Sequence, residues 1–168
     1  NSNFEKNFAE STGDNAKGGA IFNKGTLKII ADNEESSIFD GNYITINKDS
    51  ANEETIDNAI HNEGTLELNT KNNGSIIFND KITSGTDGVI NITSDDNSGS
   101  VTFNEDVEAY EINLSGTLNI GSTNYANDII INGTLNNSGH LNLHNSNDIS
   151  NSFYNTTTIN GKYYASGN

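Results

Sequence analysis

One short pattern recurs along the chain and limits what it can fold into: glycine, any residue, apolar, any residue, apolar. It stands at Gly25-Thr-Leu27-Lys-Ile29, Gly64-Thr-Leu66-Glu-Leu68, Gly74-Ser-Ile76-Ile-Phe78, Gly99-Ser-Val101-Thr-Phe103, Gly116-Thr-Leu118-Asn-Ile120 and Gly139-His-Leu141-Asn-Leu143. Gly88-Val-Ile90-Asn-Ile92 is a shifted copy, and Gly133-Thr-Leu135 is cut short by Asn137. Alternation of period two puts the apolar side chains on one face of a strand and Thr, Asn, Lys or Glu on the other. Helical periodicity is nearly absent, while β-branched Ile and Thr are abundant. The fold class expected is therefore all-β.

Longer copies set the spacing. Ala20–Ile29 matches Ala59–Leu68 at an offset of 39, and Ser75–Asp80 matches Ser100–Glu105 at an offset of 25. Ser37-Ile-Phe-Asp-Gly41 is a looser copy, 38 residues before Ser75, and Gly64 to Gly88 spans 24. One unit is thus about 24 residues with two or three short strands, stretched early in the chain by an insertion. The acidic stretches Ala31–Ser36 and Asp49–Asp57 are the candidates for it. Short strands at this spacing suit a sandwich or a solenoid. Repetition of the strand sequences favours the solenoid, in which each coil touches only its neighbours. About six coils at about 4.8 Å each would make a rod of about 30 Å.

That arrangement also answers a problem of composition. Ile, Leu, Val and Phe make up 38 of 168 residues, the formal net charge is −15, and Asn alone numbers 32. A chain this polar is close to the range that stays unfolded. A core one coil thick uses few apolar side chains efficiently, and Leu66, Phe78, Ile92, Phe103, Leu118 and Leu141 are expected to point into it. With no Cys, no disulfide staples the core. The glycine before each strand, commonly preceded by Asn, Asp or Ser, is expected where a tight corner needs positive φ. In-register coils would stack like residues, and Asn23, Asn62, Asn79 and Asn104 are the candidates for amide ladders.

Phe4-Glu-Lys-Asn7 followed by Gly18-Gly19-Ala20-Ile21 resembles the Phe-x-x-Asn and Gly-Gly-Ala-Ile repeats of chlamydial-type polymorphic outer-membrane proteins, which are autotransporter (type V secretion) passengers. A second Phe-x-x-Asn stands at Phe39-Asp-Gly-Asn42, but its downstream partner reads Asp57-Asn58-Ala59-Ile60, without the two glycines. The motif pair covers roughly the first 45 residues. The resemblance implies a right-handed parallel β-helix at the cell surface, secreted or associated with the outer membrane. It ties Phe4, Asn7, Gly18, Gly19, Ala20 and Ile21 to adhesion. From the residues themselves, Phe4 and Ile21 would fill the core and Gly18 and Gly19 would make a corner. The first residue is not Met and no translocator barrel is present, so residues 1–168 are expected to be a single β-helix domain, one segment of a longer passenger. The aromatic end over residues 150–168, with Phe153, Tyr154, Ile159, Tyr163 and Tyr164, is expected to cap the last coil. An uncapped end would expose strand edges and invite end-to-end self-association.

Candidate chemistry is sparse. All eight basic residues are Lys, so the clustered Lys and Arg of a nucleic-acid surface are missing. No apolar run is long enough to cross a bilayer as a helix, and no signal peptide opens the sequence. His140 and His144 share a strand face about 13 Å apart, too far to share one metal ion, and His61 stands alone beside a turn. All three are expected to face solvent. Asp80 and Glu105 occupy matching positions and form the candidate carboxylate pair of a glycosidase, but Trp and Arg, which carbohydrate clefts use, are absent. Asp95-Asp96-Asn97-Ser98-Gly99 and Asp32-Asn33-Glu34-Glu35 offer hard oxygen ligands for calcium without the spacing of a known loop, and are expected to be solvated acidic loops. Asn-x-Ser/Thr sequons at Asn73, Asn91, Asn113, Asn132, Asn136 and Asn155 follow from the composition and carry little information. No catalytic residue, cofactor or metal is therefore assigned. The expected function is non-enzymatic: an adhesin or passenger segment offering a rigid acidic surface to a host or neighbouring-cell protein or neutral glycan. The alternatives are a carbohydrate-active β-helix, such as a polysaccharide lyase or tailspike-like depolymerase, and a structural stalk or self-assembling fibre.

Overall fold

The computed structural model describes residues 2–122, 128–144 and 157–166, and these contain strands and turns but no helix. The chain runs through the same strand positions in successive passes. The first pass holds β1 (Asn3–Glu5), β2 (Phe8–Glu10), β3 (Ile21–Asn23) and β4 (Thr26–Ala31). The second holds β5 (Ser36–Asp40), β6 (Tyr43–Ile46), β7 (Glu54–Asp57), β8 (Ile60–Asn62) and β9 (Thr65–Thr70). The third holds β10 (Ser75–Phe78), β11 (Ile82–Ser84) and β12 (Val89–Ser94). Then come β13 (Ser100–Phe103) with β14 (Val107–Leu114), and β15 (Thr117–Ile120) with β16 (Ile129–Asn137). The last pass has β17 (His140–Leu143), β18 (Thr157–Asn160) and β19 (Tyr163–Ala165).

Three sheets result. One is ordered β1-β5-β10-β13-β15-β17. A larger one is ordered β3-β8-β11-β14-β12-β9-β4, with β16 beside β14 and both β18 and β19 on β16. The long strands β14 and β16 thus span positions that earlier passes divide between two strands. The third sheet is β2-β6-β7. Among the described residues every ladder is parallel except β6 with β7.

That antiparallel pair is the insertion. Tyr43 to Ile46 pair with Asp57 back to Glu54, so residues 47–53 form the tip of a hairpin set into the second pass. Asp49–Asp57 is extra sequence, as its acidic run suggests, and forms part of the tip and the second strand of this hairpin. Ala31–Ser36 is not an insertion: β4 to β5 and β9 to β10 are joined by loops of equal length, from Ala31 to Ser36 and from Thr70 to Ser75. These two loops and the one after Ser94 are ordinary corners, and Asn33, Asn72, Asn73 and Asn97 take positive φ in them, which Asn tolerates better than most residues. The strand-leading glycines Gly25, Gly64, Gly74, Gly88, Gly99, Gly116 and Gly139 do not take positive φ; at Gly64 and Gly139 glycine is needed instead because a Cβ would lie 2.2 Å from the backbone oxygen of the preceding pass.

The core is one cluster running through the passes. Leu66, Phe78, Ile92, Phe103 and Leu118 are buried as the alternation requires, while Leu141, in the last pass, is half-buried against the same cluster. Phe4, Phe39, Phe78 and Phe103 form a column with ring centroids 4.5, 4.6 and 5.7 Å apart, the first three stacked and Phe103 tilted against Phe78. This column corrects the repeat alignment by one residue. Ser75 pairs with Ser36, not Ser37, so Phe39 meets Phe78. With the slipped register Ile77 would oppose Phe39, and the side chains of one strand would turn to the wrong face.

Outside the core, amides stack as expected, in more places than expected. Asn23 donates to Asn62 at 2.8 Å and Asn104 to Asn79 at 2.8 Å. Asn62 and Asn79 do not join, because Asn62 ends β8 in the larger sheet and pairs with Ser84, whereas Asn79 follows β10 in another sheet; the Asn62 amide donates to the carbonyls of Gly64 and Val89. A longer ladder runs from Asn136 to Asn113 (2.9 Å) and from Asn113 to Asn91 (3.1 Å).

Candidate functional site

The six motif residues lie in the first pass, and five of them are inside or half-inside. Phe4 heads the phenylalanine column and packs against the core, as do Ala20 and Ile21. Gly18 and Gly19 are buried, and only Asn7 is exposed. Gly18 has φ +66°, and a Cβ on it would lie 2.1 Å from the Ile21 carbonyl oxygen. A Cβ on Gly19 would lie 2.5 Å from the Asn58 oxygen and 2.6 Å from both N and O of Tyr43. The glycine pair therefore lets two backbones approach, and the Gly19 N–H donates to Asn58 O at 3.1 Å. In the next pass the buried side chain of Asn58 takes the corresponding place, its Nδ2 donating to Thr83 Oγ1 at 2.8 Å.

Asn7 lies against Asn42, the equivalent residue of the second motif copy, whose Oδ1 accepts from Asn7 N (3.1 Å) and Nδ2 (2.9 Å). Asn42 is fully buried, and its Nδ2 donates to Phe4 O and Asp80 Oδ2. Asp80 closes this corner, since its carboxylate also accepts from the N–H groups of Gly41 (2.8 Å) and Asn42 (3.0 Å). Burial raises its pKa, and these hydrogen bonds only partly offset the effect. As the candidate partner of Glu105 in a carboxylate pair, Asp80 is committed instead to holding a backbone corner; Glu105 is half-buried one pass further on.

The histidines divide. His140 and His144 are exposed. His61 is not: its ring lies tilted against Phe22 at 5.6 Å, bonds Thr83 Oγ1 through Nδ1 at 2.9 Å, and its side chain is only 12% exposed. The correction follows from its column, in which strand stacking sets Phe22 and Thr83 on either side of it. Burial lowers its pKa first, and the nearby Lys17 lowers it further. Lys17 and Lys24 converge on Glu63 (2.6 and 3.6 Å) over the exposed ring of Phe22.

The acidic loops stack at one corner and satisfy one another. Asp32 accepts from Asn72 at 2.8 Å and pairs with Lys71 at 3.0 Å. Asp96 accepts from the Ser98 hydroxyl (2.7 Å) and from Asn72 N (2.8 Å), and Asp95 accepts from Asn69 Nδ2 at 2.9 Å. Neutral and cationic donors of this kind lower the pKa of Asp32, through Asn72 and then Lys71, and that of Asp96, through Ser98. Among the described residues no three His, Asp or Glu side chains gather as a metal site would need.

An open groove of about 790 Å³ lies on the outer side of the larger sheet. One column of outward side chains forms its floor: Lys28, Glu67, Asn91, Asn113, Asn136 and Tyr164, each in register with the next. Beside it stand Asn69 and Thr93, joined at 2.8 Å, then Ser115 and Ser138 where the chain leaves the sheet. Tyr163 and Tyr164 close one end, both largely exposed, and the Tyr163 hydroxyl accepts from Asn137 Nδ2 at 3.2 Å. Phe153, Tyr154 and the sequon asparagine Asn155 lie outside the described residues. The outward alternation that forms the floor was legible in the sequence. Which outward residues share a column was not, because the passes differ in length.

No protein-family model matches the chain, and neither curated proteins nor solved structures show a significant similarity to it.

Proposed function

We propose that the chain is a right-handed parallel β-helix and a segment of an autotransporter-like passenger, and that it acts at the cell surface by binding rather than by catalysis. The observation that carries this reading is the stacking of the two Phe-x-x-Asn copies residue on residue. Phe4 lies on Phe39 and Asn7 on Asn42, as successive copies of a coil-forming repeat should. The continuous parallel register from β1 to β17 supports the same arrangement. Under this reading the motif residues build the frame and the outward columns meet the partner. The partner is a protein or neutral glycan of a host or neighbouring cell, since a chain of net charge −15 without Arg repels anionic membranes and nucleic acids. Binding per segment is weak, and display of many copies supplies the avidity. Beads coated with this chain should hold target cells better than beads coated with an unrelated acidic protein. Equal retention by both bead types would remove the binding role and leave a structural stalk.

A further inference from the structure

We infer that the groove over Asn91, Asn113 and Asn136 is a binding site for an uncharged, hydroxyl-rich chain, that is, a neutral glycan. The inference rests on the binding role proposed above and names the ligand chemistry of one face.

The first argument is hydrogen-bonding capacity. An amide side chain has two N–H donors and a carbonyl oxygen with two lone pairs. In the ladder Asn113 spends one N–H on Asn91 and one lone pair on Asn136. One donor and one acceptor of that amide remain, and the strand stack repeats the arrangement about every 4.8 Å. A row of alternating donors and acceptors suits hydroxyls, each of which donates and accepts. The ladder also fixes the amides in place, so ordering them on binding costs little side-chain entropy. Thr93, whose hydroxyl accepts from Asn69, keeps its proton to donate, while Ser115 and Ser138 donate theirs to Ile92 O and Leu114 O and add acceptors along the second column.

Charge gives the second argument. The floor holds one cation, Lys28, and one carboxylate, Glu67, at the same end, and nothing ionised from Asn91 to Tyr164. A groove that is neutral on a chain of net charge −15 offers an anionic polymer no compensation for the repulsion of the rest of the surface. It offers a cation a single carboxylate. The third argument is the aromatic end. Tyr164 follows Asn136 in the column and is 55% exposed, so its ring presents an apolar face beside the polar row. A sugar ring has the same division, with C–H groups on its faces and hydroxyls at its rim. Tyrosine meets both kinds of surface and loses little entropy in doing so.

Binding is tested by calorimetric titration of the chain with short neutral oligosaccharides of hexose and N-acetylhexosamine, against uronic-acid oligosaccharides of similar length. Asn136→Ala removes one end of the ladder, and Tyr164→Ala removes the ring. The exposed Phe8, on the β2-β6-β7 sheet, gives the control Phe8→Ala. The expected result is binding of neutral oligomers only, weakened about fivefold or more by each groove variant, as the loss of one or two neutral contacts implies, and unchanged in the control. Unaltered thermal melting of Tyr164→Ala separates ligand loss from misfolding. Tighter binding of the uronic acids, no binding of any neutral oligomer, or binding indifferent to both groove variants would overturn the inference. The bead assay keeps the two proposals apart. Cells retained equally by wild type and Asn136→Ala, with no oligomer bound, would sink the groove and leave the binding role. Oligomers bound without cell retention would do the reverse.

Discussion

Phe39→Ala tests the internal stack with a control built into the same molecule. Phe39 is fully buried, and its ring lies between Phe4 and Phe78 at centroid distances of 4.5 and 4.6 Å. Phe8 also stacks, on Tyr43 at 5.5 Å, but it is 57% exposed. The two positions share residue type and ring contact and differ in burial. Removing a buried phenyl ring costs about 3–5 kcal/mol, since the passes on either side cannot collapse into the space without breaking register. Removing the exposed ring should cost about 1 kcal/mol. At about 2–4 °C per kcal/mol for a chain of this size, Phe39→Ala should lower the melting temperature by about 10 °C and Phe8→Ala by only a few degrees. Far-UV circular dichroism during heating and in urea reads both, as the chain has no Trp. Equal losses at the two sites, or a Phe39→Ala loss within 1 kcal/mol of zero by these scales, would refute the inward column and the register built on it.

Other outcomes follow from single contacts. Gly19→Ala places a methyl against backbone atoms of Asn58 and Tyr43, so it should cost about 1–3 kcal/mol, whereas Gly25→Ala, with open space around its Cβ, should cost less than about 0.5 kcal/mol; urea midpoints decide. Asp80 has a raised folded pKa, so its contribution is most favourable below the ordinary value of 3.8 and is lost as pH rises through the raised value. Asp80→Asn escapes that ionisation cost, so its stability relative to wild type should improve as pH rises through this window, and a constant difference across it would contradict the burial argument. Asp32, Glu63 and Asp96 have lowered values, so what they contribute is present above the ordinary carboxylate range and lost as pH falls through the lowered values; wild type should weaken in acid on their account. Added monovalent salt should raise the melting temperature modestly by screening the surplus carboxylates, and micromolar calcium should add nothing further. A large calcium shift abolished by Asp95→Ala or Asp96→Ala would reverse the reading of those loops.

Much of the frame was legible because it depends on local rules. Period-two alternation places Leu66, Phe78, Ile92, Phe103 and Leu118 inside, and the matching Asn two residues before Gly25 and Gly64 points to the Asn23–Asn62 contact. What failed depended on the third dimension. Sequence identity pairs Ser37 with Ser75, but identity carries no register, and the stacking of Phe39 on Phe78 sets the strands one residue away. Ala31–Ser36 read as an insertion because it is acidic, yet its length is that of a normal corner. His61 read as solvent-facing because nothing in sequence shows that Phe22 and Thr83 flank it. The groove was missed for the same reason. Asn91, Asn113 and Asn136 look like dispersed polar positions in an Asn-rich chain until unequal passes bring them into one column.

The stacked register itself is open to direct measurement, because the chain has no cysteine to interfere. Neighbouring parallel strands lie about 4.8 Å apart, within the Cα separation a disulfide accepts. Ile38 pairs with Ile77, and Thr102 lies one strand further along the same column. Under mild oxidation the double variant Ile38→Cys/Ile77→Cys should form an intramolecular disulfide, read as loss of free thiol and a shift in non-reducing electrophoresis. Ile38→Cys/Thr102→Cys and the slipped pair Ile38→Cys/Ile76→Cys should stay reduced. Ready bonding in either of the last two, or none in the first, would contradict the stack of parallel passes on which both the frame and the groove depend.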